Sequence, residues 1–181
     1  SRAELYASSL ESMRATGASR KSELSSYLAS IQEDLLLLSV NPTVSGAIDR
    51  LRDTYRETLP ASGENAALRQ AYIDGNTYPV GEKFKLDAAD DGSAYSAAHA
   101  ALHPWFRQVQ QTRGYYDLFL IDADGNVVYS VFKEADFGTN VLNGEWRATG
   151  LGEVFRNLRA AASAGAVEFV DFAPYAPSAN A

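Results

Sequence analysis

Residues 115–137, YYDLFLIDADGNVVYSVFKEADF, constrain the fold more than any other stretch. Two apolar runs, 115–122 and 126–132, flank Ala123-Asp124-Gly125, and alternating runs around an Asp-Gly pair are the strongest short-range signal for a β-hairpin. Almost everything upstream is helical in pattern, and only residues 166–172 read as a further strand. The hairpin therefore starts whatever sheet the chain has. The fold class expected is α+β: a long N-terminal helix and a helical segment over 1–114, followed by an antiparallel sheet part over 115–181 of the same domain. Polar side chains at the strand ends, Asp117, Tyr129, Lys133, Glu134 and Asp136, are the first candidates for a site.

The upstream half opens with a helix. Residues 3–40 hold no proline and one glycine, Gly17, in an Ala/Glu/Leu/Ser/Arg/Gln composition that favours helix. Leu24, Leu28, Ile31, Leu35 and Leu38 form a heptad seam, and Tyr6, Leu10 and Met13 form a shorter stripe separated from it at Gly17 and Arg20. One reading pairs the first half with a second copy in a parallel dimer while the second half packs on its own domain; the other packs the whole stripe intramolecularly. Asn41-Pro42 interrupts this helix. A second helix to about residue 58 follows, with Val44, Ile48, Leu51 and Tyr55 on one face, and then a short one over 64–73. Residues 74–93 read as an ordered loop packed by Tyr78, Val80, Phe84 and Leu86. A helix over 94–112 should kink or restart at Pro104, and another covers 151–163. Two prolines in 173–178 forbid a regular central strand there.

Composition narrows the function. Sixteen basic against twenty-three acidic residues give a net charge of −7, and without a basic run the chain lacks the face a nucleic-acid partner needs. The absence of cysteine excludes disulfides, thiol catalysis and cysteine-ligated metals, and fits a bacterial extracytoplasmic domain. No apolar run approaches the roughly 20 residues that span a bilayer. A start at Ser1-Arg2-Ala3-Glu4, already in helical pattern, suggests a piece of something longer, with flanking membrane segments lying outside it.

Catalytic motifs are missing. His99 and His103 stand at metal-ligand spacing but lack a third ligand pattern, so a packed and a polar histidine explain them better. Asp122, Asp124 and Asn126 lack the terminal glutamate of a calcium loop, since position 133 is lysine. No nucleophile elbow or phosphate loop occurs. No enzymatic role, metal or cofactor is expected. What remains is an aromatic and charged set: Trp105, Tyr115, Tyr116, Tyr129, Trp146, Phe169 and Tyr175, with Arg107, Lys133, Asp117, Asp136 and Asp171. Apolar walls with a few opposed charges suit a pocket for a small polar or zwitterionic molecule, with Lys133 holding a carboxylate and Asp171 an amine. The competing reading makes the aromatics core and the charges surface. The ligand-binding set expected is Trp105, Arg107, Tyr116, Asp117, Tyr129, Lys133, Trp146, Asp171 and Tyr175.

Several of these segments carry a family likeness. YYDLFLID at 115–122, VYSVFKE at 128–134, DFGTN at 136–140 and DFAPYAPS at 171–178, together with HPWFR at 103–107, GEK at 81–83, LDAA at 86–89 and YLASIQED at 27–34, resemble the periplasmic sensor region of bacterial methyl-accepting chemotaxis receptors. Similar modules precede histidine kinases and nucleotide cyclases. The resemblance implies a Cache-type, PAS-like fold, with a long helix leaving the inner membrane and a ligand pocket on one face of the sheet. It implies an amino acid, amine or organic acid as ligand, a homodimer through the N-terminal helix, and membrane attachment through flanking segments. The alternative is a protein-interaction or dimerisation module of a membrane histidine kinase or cyclase. A complete domain of this kind continues beyond the Pro-Ser segment into further strands, so an unfinished sheet with an exposed edge is expected.

Overall fold

A computed structural model describes residues 2–58, 64–161, 163, 165–170 and 173–178. The proline-free run forms a single helix, α1 (Arg2–Ser39), which passes Gly17 without a break. It belongs to a compact unit ending at Asn41, and a second unit begins at Pro42. Leu10, Met13, Leu24 and Leu35 are all exposed along α1.

Proline has no N–H to leave unpaired at a helix start, and Pro42 opens α2 (Pro42–Thr58) accordingly. Val44, Leu51 and Tyr55 are buried at helical spacing, while Arg52 on the outer side pairs with Asp49 and Asp53 at 2.8 and 2.9 Å. Asn65 starts α3 (Ala66–Arg69) by accepting the Leu68 N–H at 3.2 Å, and its amide donates back to the Tyr55 carbonyl and the Thr58 hydroxyl. The helix widens into one π-helical turn at Gln70–Asp74.

The following loop packs through polar groups more than through its apolar ones. Asn76 donates to the carbonyls of Tyr72 and Lys83, and Lys83 Nζ reaches the Ile73 carbonyl at 2.6 Å. Phe84 and Leu86 pack against the core as expected, but Tyr78 and Val80 are exposed. Ser93 caps α4 (Ala94–Arg113), and Gly114, at φ +69°, ends it. Tyr95, His99, His103, Phe106 and Gln110 form its buried stripe. Pro104 neither ends nor restarts this helix. It lies on the exposed side, as does Ala100, so the carbonyl that a proline leaves without a helical partner faces water.

The hairpin forms β1 (Phe119–Ile121) and β2 (Val127–Ser130), antiparallel, with a bulge between Leu120 and Ile121. Gly125 takes φ +87° in the turn, and Asp122 Oδ1 accepts the N–H groups of Asp124 and Asn126. Beyond β2 the chain folds back along it: Val127 N donates to Thr139 O, Gly138 N to Val127 O, and Asn126 bridges Asn140. A last helix, α5 (Gly150–Ala161), follows. The chain is thus a mixture of helices and a small two-stranded antiparallel sheet. The expected third strand does not form over residues 166–170, and residues 171–172 lie outside those described. Beyond the strand ends Asp117 accepts the N–H groups of Leu118, Val131 and Phe132, with Val131 also donating to the Leu118 carbonyl at 3.2 Å, so backbone pairing there gives way to side-chain bonds.

The core joins α2, α3, α4 and the hairpin through Leu51, Tyr55, Leu68, Tyr72, Tyr95, Phe106, Val128 and Tyr129. Its rings meet mostly edge-on or tilted, as with Tyr72 and Tyr95 at 5.7 Å and 80°, the geometry that ring quadrupoles favour.

Candidate functional site: a buried charge cluster behind the hairpin

The residue just past β2 that should stand at a pocket rim is instead in the core. Lys133 is 1% exposed, and at φ +57° it is the one non-glycine residue with positive φ among the described residues. Such a backbone costs about 1 kcal/mol or more and persists only where its surroundings over-determine it. Here the Ser130 hydroxyl accepts the Lys133 N–H, and the Lys133 ammonium donates to the Ser130 carbonyl. The ammonium lies 4.3 Å from the Tyr129 ring centre, 5.2 Å from Phe137 and 5.8 Å from Tyr72, a three-ring cation–π cage.

Carboxylates stand around this cage without closing on the ammonium, and none of the ion pairs among the described residues includes Lys133. Asp117 spends Oδ1 on three backbone N–H groups, while Oδ2 has no partner. The residue as a whole is only half-buried, yet Oδ2 is sealed from solvent, so the atom behaves as an interior group. Asp136, 0% exposed, accepts the Tyr175 hydroxyl on Oδ2 at 2.6 Å and leaves Oδ1 unpartnered.

The histidines complete the arrangement. His99 Nδ1 lies 2.7 Å from the Asp87 carbonyl, which can only accept, so Nδ1 carries the proton and Nε2 presents a lone pair. That Nε2 is buried and unpartnered. By the same reasoning His103 donates from Nε2 to the Phe84 carbonyl at 2.6 Å and accepts the Tyr129 hydroxyl on Nδ1 at 2.7 Å. The two rings stack at 4.4 Å. Metal ligation would need their lone pairs to converge with a third donor, and no such group exists among the described residues.

Burial dominates the electrostatics. It pushes the Asp117 carboxyl up and the Lys133 amine down, each charge partly restoring the other. Asp136 is raised from 3.8 to about 6, first by burial, against the Tyr175 bond, with Glu134 adding repulsion. Burial and the Lys133 charge hold His103 down at about 3 and His99 well below its ordinary value, so both are neutral near pH 7.

Residues 173–178 cover this cluster. Tyr175 bonds Asp136, and the Ser178 hydroxyl bonds Glu134, which also accepts from Tyr116 at 2.9 Å. Of the residues expected in a site, Asp117, Tyr129, Lys133 and Tyr175 come together, Tyr116 joins the covering layer through Glu134, and Trp146 stands beside it with its indole N–H on the Ala135 carbonyl at 3.3 Å. Arg107 braces the wall, bonding the Phe84 carbonyl and Asp87 at 3.0 and 2.7 Å. Trp105 is elsewhere, lining a cleft of about 280 Å³ with Val109 and Arg113. Asp171 lies outside the described residues. Asp136, His99, Tyr72 and Phe137 belong to the cluster as well; Asp136 had a signal in the sequence as a charge at a strand end and His99 as one of a histidine pair four residues apart, whereas Tyr72 and Phe137 had none as site residues.

Open clefts occur elsewhere: about 640 Å³ between β1 and α5, about 510 Å³ beside residues 168–170, and about 370 Å³ between α2 and the hairpin. None of these is lined by Lys133, Asp117 or Asp136. No helix among the described residues is long and apolar enough to cross a membrane. Comparison with protein-family models, curated proteins and solved structures finds no match to this chain.

Proposed function

We propose that the chain is the extracytoplasmic sensor domain of a transmembrane chemotaxis receptor, of the periplasmic Cache type with a PAS-like fold. It binds a small polar molecule at the cluster around Lys133 and transmits the event through α1. The carrying observation is the set of unpartnered buried atoms, Asp117 Oδ2, Asp136 Oδ1 and His99 Nε2, with the caged Lys133 acting on Asp117 and His99 and Asp136 acting on Asp117. Buried polar groups are ordinarily bonded, and each one left unmet costs about 1–3 kcal/mol. A folded state that tolerates three in one place is suited to a ligand that meets them. Sites that titrate abnormally in this way concentrate where chemistry or binding occurs.

The segment likeness across residues 27–178 supports the receptor context, and the absence of catalytic motifs supports a binding role rather than turnover. Signal output requires that the ligand prefer one arrangement of the domain over another, since equal affinity shifts nothing. The exposed apolar residues of α1 favour contact with a second copy, which gives such a preference a route to the membrane.

Thermal melts against a panel of amines, organic acids and amino acids test the proposal. At least one compound should raise the melting temperature saturably in the wild type and fail to do so in Asp136→Asn. If no compound has any effect, the domain is an interaction or dimerisation module instead.

A further inference from the structure

We infer that the cluster takes a primary ammonium group, and that the ammonium of Lys133 is a built-in occupant which an amine ligand displaces. This rests on the ligand-binding proposal above and specifies the chemistry of the same site.

Every unmet atom in the cluster is an acceptor. Asp117 Oδ2 and Asp136 Oδ1 belong to carboxyl groups, and His99 Nε2 is a lone pair because Nδ1 spends the ring's proton on Asp87. Lys133, bonded once to the Ser130 carbonyl, keeps two N–H donors against three unmet acceptor atoms, so an anionic ligand would add acceptors to a place already short of donors. A primary ammonium brings three N–H donors and no acceptor.

Charge points the same way. Lys133 is joined by Arg107 in the wall and by Arg69 at the carbonyls of Ala135 and Phe137, and the two histidines are neutral near pH 7. Asp117, Asp136 and Glu134 still repel one another in this buried place, so a carboxylate ligand adds to that repulsion and an ammonium ligand relieves it.

The third observation is the cage. Tyr129, Phe137 and Tyr72 already hold an ammonium over their faces, which is how aromatic cages recognise cationic ligands. Lys133 fills it imperfectly. Its ammonium bonds the Ser130 carbonyl, at a left-handed backbone, and the two carboxylates keep an oxygen each without a partner. A free ammonium is not tied to a backbone three residues past Ser130 and can orient toward them. Entry requires residues 173–178 to move, which breaks Tyr175–Asp136 and Ser178–Glu134 and uncovers the buried Pro177 and Ser178.

The test is a thermal-melt and calorimetric titration of the wild type with n-propylammonium, ethanolammonium and putrescine, against propionate and sodium chloride at matched ionic strength. The inference expects a saturable rise in melting temperature with at least one ammonium probe and none with propionate. It further expects at least tenfold weaker ammonium binding in Asp136→Asn and at least tenfold tighter binding in Lys133→Met, where the occupant is gone. Saturable binding of propionate with all three ammonium probes silent overturns the inference and leaves ligand sensing standing. Silence of all probes overturns it as well, and silence of the wider panel removes the ligand proposal too. The wild-type comparison decides between cation and anion even if either variant fails to fold.

Discussion

Replacing Asp136 with asparagine should stabilise the folded domain, and by an amount that depends on pH. The carboxyl is fully enclosed, and burial raises it from 3.8 to about 6. A carboxyl whose folded value exceeds its unfolded one is harder to ionise in the fold, so ionisation works against folding. The sign is therefore opposite to that of a salt-bridged aspartate: the cost is fully present above about pH 6 and disappears as pH falls through 3.8. At 1.36 kcal/mol per pKa unit, ionised Asp136 costs about 3 kcal/mol at pH 8, about 1.5 kcal/mol at pH 5 and almost nothing at pH 3. An asparagine amide keeps an acceptor for the Tyr175 hydroxyl and carries no charge. Urea unfolding of both proteins at pH 8, 6.5 and 5, with unchanged slope against denaturant, measures the difference. A gain that shrinks toward pH 5 agrees with a desolvated carboxylate. A loss of stability at pH 8, or a gain independent of pH, refutes it by showing that Asp136 has a cationic partner or is solvated. A residue whose removal stabilises the fold while abolishing amine binding is the expected signature of a site kept at the expense of stability.

Other perturbations test the surrounding structure. Tyr55→Phe removes a buried hydroxyl that has no partner and should raise stability by about 1 kcal/mol by chemical denaturation; a loss of that size would reveal a bond to the hydroxyl. Gly138→Ala should cost about 2–4 kcal/mol by the same measurement, because φ is +76° and the new Cβ would lie 2.8 Å from Arg69 Cγ. Arg69 cannot give way freely, since it bonds the carbonyls of Ala135 and Phe137 at 2.6 and 2.7 Å. Substituting Leu10 and Met13 together by serine should leave unfolding of the Pro42-onward unit unchanged while weakening self-association in sedimentation equilibrium, as expected if the exposed start of α1 pairs with a second copy.

Local chemistry made part of this architecture legible in advance. The Asp-Gly turn with flanking apolar runs marked the hairpin, the helical run over 94–112 marked α4, and Pro42 opened α2. What stayed hidden depended on tertiary partners. Lysine is almost never fully buried, so nothing near position 133 announced an ammonium held by Tyr72, Tyr129 and Phe137 from different elements. Asp117 read as a binding carboxylate, yet half of it caps the hairpin backbone. His99 and His103, four residues apart, read better as a packed and a polar histidine than as metal ligands, but nothing in the spacing showed that their rings stack and bond the carbonyls of Asp87 and Phe84. Residues 166–170 carried strand-like apolar character, but a strand needs an edge to pair with, and those residues have no ladder partner.

The most direct measurement is hydrogen–deuterium exchange of the wild type with and without n-propylammonium at saturating concentration. Binding at the cluster predicts slower exchange in residues 115–137, in α4 around His99 and His103, and in residues 173–178 as they close over the ligand. Unchanged exchange throughout, or protection confined to α1 or to the cleft between β1 and α5, would contradict a ligand site built around Lys133.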